Sequence, residues 1–291
     1  MNYKLFKLFI IFILIFNFGC SNSQKKQIEN NKKQENYAIV KGINALNQNK
    51  IQVALESFLD AYSINSENIF TLQNLAFIYS EKKDYNTAES YYLKILSKKS
   101  NDTNTLYNIS VLYYNQEKYI KALNYLKKIS YDQLNDKILI LKSKTYYALN
   151  DYKNAYNNII LIKNNNIDTD IFLVNILFKL NDISNLHPLL VSLYKKYPNN
   201  IEINILYSKH LYYNLNEYKK ALNIINKYFI KNGVNKKMVI FITEICVNEK
   251  DFINAKKYIN LTPEADIFDN KILELKKIIE KEVKNNERLA N

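Results

Sequence analysis

The chain has 291 residues, 47% of them apolar, with only three Gly, three Pro and two Cys and a formal net charge of +13. So few backbone breakers beside abundant Leu, Ile, Lys and Asn fit an all-helical protein. The same counts exclude chemistry. Gly19, Gly42 and Gly233 cannot build a phosphate-binding loop. His187 and His210 fall in different segments, without a partner at helical spacing for a metal site. No Ser or Cys has the surroundings of a nucleophile. The expectation is a non-enzyme with no metal and no cofactor.

Met1–Gly19 reads as a targeting segment. Lys4 and Lys7 precede the apolar run Leu8–Phe16, and Asn17, Phe18, Gly19 and Cys20 follow. At about 1.5 Å per residue that run falls far short of a ~30 Å hydrocarbon core. A small residue directly before Cys, at the end of such a run, resembles a bacterial lipoprotein signal. Gly19 and Cys20 match that pattern, while Asn17 stands where Leu is usual. The resemblance implies cleavage before Cys20 and attachment of diacylglycerol, with palmitate-like chains, to its sulfur. It also implies a lipid anchor in a bacterial membrane, facing the periplasm or the cell surface. An ordinary signal peptide and a retained anchor helix are the alternatives. Ser21–Gln34 is polar and nearly free of apolar residues, so residues 20–34 are expected to form the lipidated Cys and a flexible tether.

From residue 35 onward helical patterns alternate with short polar turns. The clearest unit is Ile69–Asp102. Leu72, Leu75, Ala76 and Tyr79 share one face of a first helix, and Tyr85, Ala88, Tyr92 and Ile95 share one face of a second. Glu81, Lys82, Lys83 and Asp84 make the turn. A small residue recurs in step at Ala54, Ala88, Ala122, Ala155, Ala221 and Ala255, with gaps of 34, 34, 33, 66 and 34. The 66 spans two units, one of which has Leu186 in the small place.

This pattern resembles the tetratricopeptide repeat, a 34-residue helix–turn–helix. In Ile69–Asp102 its signature positions are Leu72, Leu75, Ala76, Tyr79, Ala88, Tyr92 and Ile95. The resemblance covers about seven units: 35–68, 69–102, 103–135, 136–168, a degenerate 167–200, 201–235 and 236–265. In 167–200 Pro188 interrupts the second helix, which is expected to start near Ser184–Leu186 and to hold Pro188 in its first turn. In 201–235 Lys209 occupies the small place opposite Ala221. Cys246 falls where a core aromatic is usual and reads as a buried small hydrophobe. With Cys20 acylated it has no partner for a disulfide. Residues 266–291 form a last amphipathic helix from Asp266 to about Arg288 and a tail. Its stripe Ile272, Leu275, Ile279 and Val283 reads as a cap on the stack.

The resemblance implies an all-α, right-handed superhelical solenoid of such repeats, its concave face lined by the first helices. Carried onto this sequence, that face shows Phe70, Gln73, Asn74 and Phe77, then Tyr107, Asn108, Val111 and Tyr114, then Ile140, Lys144 and Tyr147. Phe178, Leu206, His210 and Tyr213 continue it. Asn74 and Asn108 stand where the family often uses an amide to hold the backbone of an extended ligand. The chaperone-type carboxylate clamp is not expected, because Ile39 and Ile43 occupy its first positions. Lys pairs such as Lys82-Lys83 and Lys127-Lys128 recur in turns and on second helices, as solvated faces do.

The expectation is a membrane-anchored scaffold that takes an extended peptide or protein segment of the envelope into an aromatic groove, with a role in envelope or outer-membrane assembly. Its other partner is the bilayer, through acylated Cys20. Contact of the tether with anionic lipid is a further expectation, and nucleic acid is not an expected partner. The alternative is an accessory lipoprotein that binds peptidoglycan or regulates a wall enzyme, with Tyr stacking on sugars. A surface protein meeting host ligands is a third reading.

Overall fold

A computed structural model describes the backbone of residues 3–290 and the side chains of residues 25–284. The chain divides into two compact units, Met1–Leu149 and Asn150–Asn291. The first holds α1 (Tyr3–Asn47), α2 (Ile51–Ile64), α3 (Ile69–Glu81), α4 (Tyr85–Lys98), α5 (Thr103–Asn115), α6 (Tyr119–Leu126) and α7 (Asp136–Ala148). The second holds α8 (Tyr152–Ile159), α9 (Ile167–Leu180), α10 (Ile183–Lys196), α11 (Ile201–Tyr213), α12 (Tyr218–Asn232), α13 (Lys236–Asn248), α14 (Phe252–Ile259) and α15 (Asn270–Ala290). The described residues contain no strand. No helix among them is long and apolar enough to cross a membrane. The side chains of Lys4, Lys7 and Cys20 lie outside the described residues, and with them the expected signal and acylation site.

Most of the helices begin where the sequence supplies a short polar side chain; α2, α6 and α12, which follow Lys50, Lys118 and Glu217, do not. Asn68, Asp84, Asp102, Asn135, Asp151, Asn166, Asp182, Asn200 and Asp251 each accept the backbone N–H three residues on. Such a cap satisfies a donor that the helix itself leaves unpaired. Each hairpin then reverses through one left-handed residue: Asn49, Lys83, Glu117, Asn150, Asn181, Asn216 and Lys250.

The spaced alanines form the seam of this architecture. Ala54, Ala88, Ala122, Ala155, Ala221 and Ala255 are all fully buried. In the first unit Leu72, Ala76, Ala88, Tyr92 and Ile95 share a cluster with Ile109, Tyr113 and Ala122 of the next hairpin. These two adjacent repeats therefore complete one another's core, as a stacked array requires. Gly42 takes the small place in the first hairpin for a steric reason: a Cβ there would stand 2.8 Å from Cε2 of the buried Phe58. In the second unit α15 closes the last hairpin with Ile272, Leu275 and Ile279 buried and Val283 packed beside them.

Four details depart from the sequence reading. The expected tether, Ser21–Gln34, lies within α1, and its described side chains are exposed. Its Lys, Gln and Glu are good helix formers uninterrupted by Gly or Pro, so polarity alone does not end the helix. In α10, which starts at Ile183, Pro188 is the sixth residue and so lies in the second turn rather than the first. In α11 the small buried residue is Ser208, not Lys209, which is exposed. Ser208 Oγ donates to the carbonyl of Ala221 at 3.4 Å. The turn before α12 carries one extra residue, so counting back from Ala221 misses by one. The last helix starts at Asn270 rather than Asp266, after a 3-10 turn at Glu264–Asp266. Lys236 spans that turn by pairing with Asp266 at 3.2 Å and Asp269 at 3.1 Å.

Candidate binding surfaces

In the first unit the expected groove residues lie on the faces of α3, α5 and α7 that the core leaves open. Phe70 and Phe77, two turns apart on α3, are 45% and 47% exposed. Between them Gln73 and Asn74 are half-buried. Gln73 Nε2 donates to Thr105 Oγ1 at 3.5 Å, which ties α3 to α5. Asn74 Nδ2 donates to the carbonyl of Phe70 at 2.8 Å, within its own helix. That bond fixes the Asn74 rotamer and leaves Oδ1 and the second amide N–H to meet a ligand backbone.

On α5 Tyr107, Asn108, Val111 and Tyr114 are half-buried. Burial pushes the Tyr107 and Tyr114 hydroxyls above the ordinary tyrosine range, so both stay protonated and able to donate. Tyr114 also meets Tyr119 edge-on at 5.3 Å. On α7 Ile140 and Tyr147 are half-buried and Lys144 is exposed.

The second unit has a cleft of its own, of about 430 Å³. α9 contributes Asn175; α11 contributes Ile201, Glu202, Ile205, Leu206 and Lys209; α13 contributes Lys237, Ile240, Phe241 and Glu244. The floor is apolar and the rim charged. Lys209 Nζ sits 5.8 Å from the centroid of the Phe241 ring, and Glu244 is held by Lys271 at 3.4 Å. Of the residues expected here, Leu206 lines the cleft and Tyr213 is exposed, but His210 is fully buried. The one-residue error in α11 explains both the misplacement of His210 and the omission of Ile205 and Lys209. The signal for it was in the sequence: the turn Asn214–Glu217 is a residue longer than Lys82–Asp84.

His210 instead meets His187 of α10, with Nε2 and Nδ1 3.1 Å apart. The two lie in different repeats, 23 residues apart, so only the packing of α10 on α11 brings them together. Among the described residues no group of three or more His, Cys, Asp and Glu is placed to hold a metal ion. Cys246 is fully buried, as its position suggested, and Tyr218 donates to its sulfur at 3.2 Å. Burial pushes the thiol up to about 11.

Solved structures share this architecture. A tetratricopeptide repeat protein from Parabacteroides merdae ATCC 43184 matches with a TM-score of 0.59 at 17% identity, over 85% of this chain and 99% of that one. The C-terminal part of a TPR repeat-containing protein from Cytophaga hutchinsonii matches with a TM-score of 0.65 at 12% identity, over 83% of this chain and 98% of that one. No protein-family model matches the chain, and no curated protein matches it in sequence. The fold is that of tetratricopeptide repeat proteins: an all-α solenoid of helical hairpins.

Proposed function

We propose that the protein is a lipid-anchored scaffold on the outer face of a bacterial membrane, which holds an extended segment of a partner protein against its first-helix faces. One observation carries the reading: Phe70 and Phe77 stand 45% and 47% exposed on one face of α3. Two large aromatics left in water on α3 supply apolar area that a ligand can cover without rearrangement of the helix. The Asn74 Oδ1 and the Asn108 amide would then fix the ligand backbone. The anchor would be Cys20, acylated after cleavage behind Gly19, and the setting envelope or outer-membrane assembly.

The test is crosslinking in cells followed by affinity capture, comparing the native chain with Phe70→Ser plus Phe77→Ser and with Cys20→Ala. The double variant should lose its captured partner while keeping its helical content. Cys20→Ala should leave the membrane fraction. Undiminished capture by the double variant overturns the groove, and membrane retention of Cys20→Ala overturns the anchor. Co-sedimentation with purified peptidoglycan, lost in the same double variant, would transfer the aromatic face to a wall-binding role.

A further inference from the structure

The tenth residue of each first helix points to a recurring buried place. Ile78, Leu112, Thr145, Ile176 and Ile245 occupy it and are all buried. In α11 the place belongs to His210, equally buried. Here a contact that is elsewhere apolar or hydroxylic is made by two imidazoles. We propose that His187 and His210 form a proton-operated latch between α10 and α11.

The hydrogen-bond chain assigns the tautomers. His210 Nδ1 lies 3.3 Å from Asn214 Oδ1, an atom that can only accept, so Nδ1 carries the proton and Nε2 a lone pair. The His187 Nδ1–H then donates to that lone pair across 3.1 Å. A proton taken up by His210 has one place left, Nε2, where it would face the N–H of His187. Two donors cannot share that gap, so the rings must part.

The groups around His210 act on that proton in both directions. Burial holds its imidazole below the ordinary histidine range; the Asn214 oxygen works the other way, His187 adds to the depression, and the Glu217 carboxylate offsets part of it. Glu217, which precedes α12, is itself paired with Lys220 at 2.6 Å. From α9 the facing group is the Phe178 ring, edge-on with its centroid at 6.3 Å, which brings no charge. Opening therefore takes up a proton in the range between the lowered and the ordinary histidine pKa. The closed junction is fully favoured above about pH 6.5 and loses ground as pH falls, by up to about tenfold in the opening equilibrium per pH unit.

Hydrogen exchange of the full chain in detergent, at pH 7.5 and 5.0 and corrected for intrinsic exchange rates, tests the proposal. Amides of α10 and α11 should lose about tenfold more protection than those of α3–α6. That excess should vanish in His210→Ile, which restores the residue type of the equivalent places, and in His187→Gln. The same excess in both variants, or none in the native chain, overturns the latch. Ring titration by NMR keeps the question open to refutation should a variant not fold: a His210 ring that titrates below the ordinary value supports the latch, and one that titrates at the ordinary value overturns it.

Discussion

Ser208 and Ala221 lie thirteen residues apart and meet across their hairpin, where Ala76 and Ala88, twelve apart, do the same work in the second repeat. This fixes which residue of α11 turns inward. Ser208→Leu should cost about 1–3 kcal/mol by overpacking. Lys209→Ser, on the exposed side, should stay within about 0.5 kcal/mol of the native chain. Urea unfolding followed by circular dichroism measures both. The opposite order would return Lys209 to the small place.

Gly42 and Phe58 should be energetically coupled. Gly42→Ala gains about 1 kcal/mol of helix propensity but must displace a ring that is wholly enclosed, a cost of about 1–3 kcal/mol. The single variant is expected to be destabilised. In the background of Phe58→Leu the same substitution should be neutral or favourable. Equal effects in both backgrounds, measured as a double-mutant cycle, would show that the glycine is there for another reason.

Asp102 gives a pH-dependent case. Its burial alone would raise its pKa, but the Thr105 hydroxyl and N–H and the Lys99 ammonium together hold it below the ordinary value of 3.8. A depressed carboxylate stabilises the fold above that value and loses its contribution as pH falls through the lowered one. Asp102→Ala should therefore cost about 0.5–2 kcal/mol at neutral pH by loss of the helix cap. The deficit should shrink below pH 4. Asp102→Asn, which still caps α5, should show a smaller deficit that likewise shrinks below pH 4, because only the native side chain titrates.

Cys246 should resist alkylation in the native state. Its sulfur is fully buried, and with the thiol pushed up to about 11 almost none is thiolate at neutral pH. Peptide mapping after iodoacetamide should find it unmodified until denaturant opens α13. Rapid native labelling would place α13 among the fraying elements.

The stack of hairpins was legible because its two strongest constraints are local. An alanine returning in step in all but one of the repeats is needed where helix axes come close, and Asp or Asn before most of the helices supplies a capping hydrogen bond. Both are visible one unit at a time. What escaped depends on a count or on neighbours. An added residue among Asn214, Leu215, Asn216 and Glu217 looks like any polar turn, yet it shifted the face assigned to α11 by 100° of helix. The contact of His187 with His210 arises only when the second helix of one repeat meets the first helix of the next. For the same reason the 430 Å³ cleft was only partly anticipated through Leu206. The open faces of α3, α5 and α7, in contrast, follow from intact repeats whose register the alanines hold.

The left-handed residues at the hairpin reversals carry a last implication. Each reversal is completed by one residue with positive φ, and in the sixth repeat that residue, Asn216, has moved one place along the chain to absorb the insertion. The bend is thus a self-contained hinge pin: length can be added ahead of it while the helices on either side keep their seats. Reversals of this kind are where such an array can be lengthened, nicked or given new termini, so a fluorescent tag or protease site grafted beside Lys83 or Lys250 should leave the neighbouring hairpins assembled.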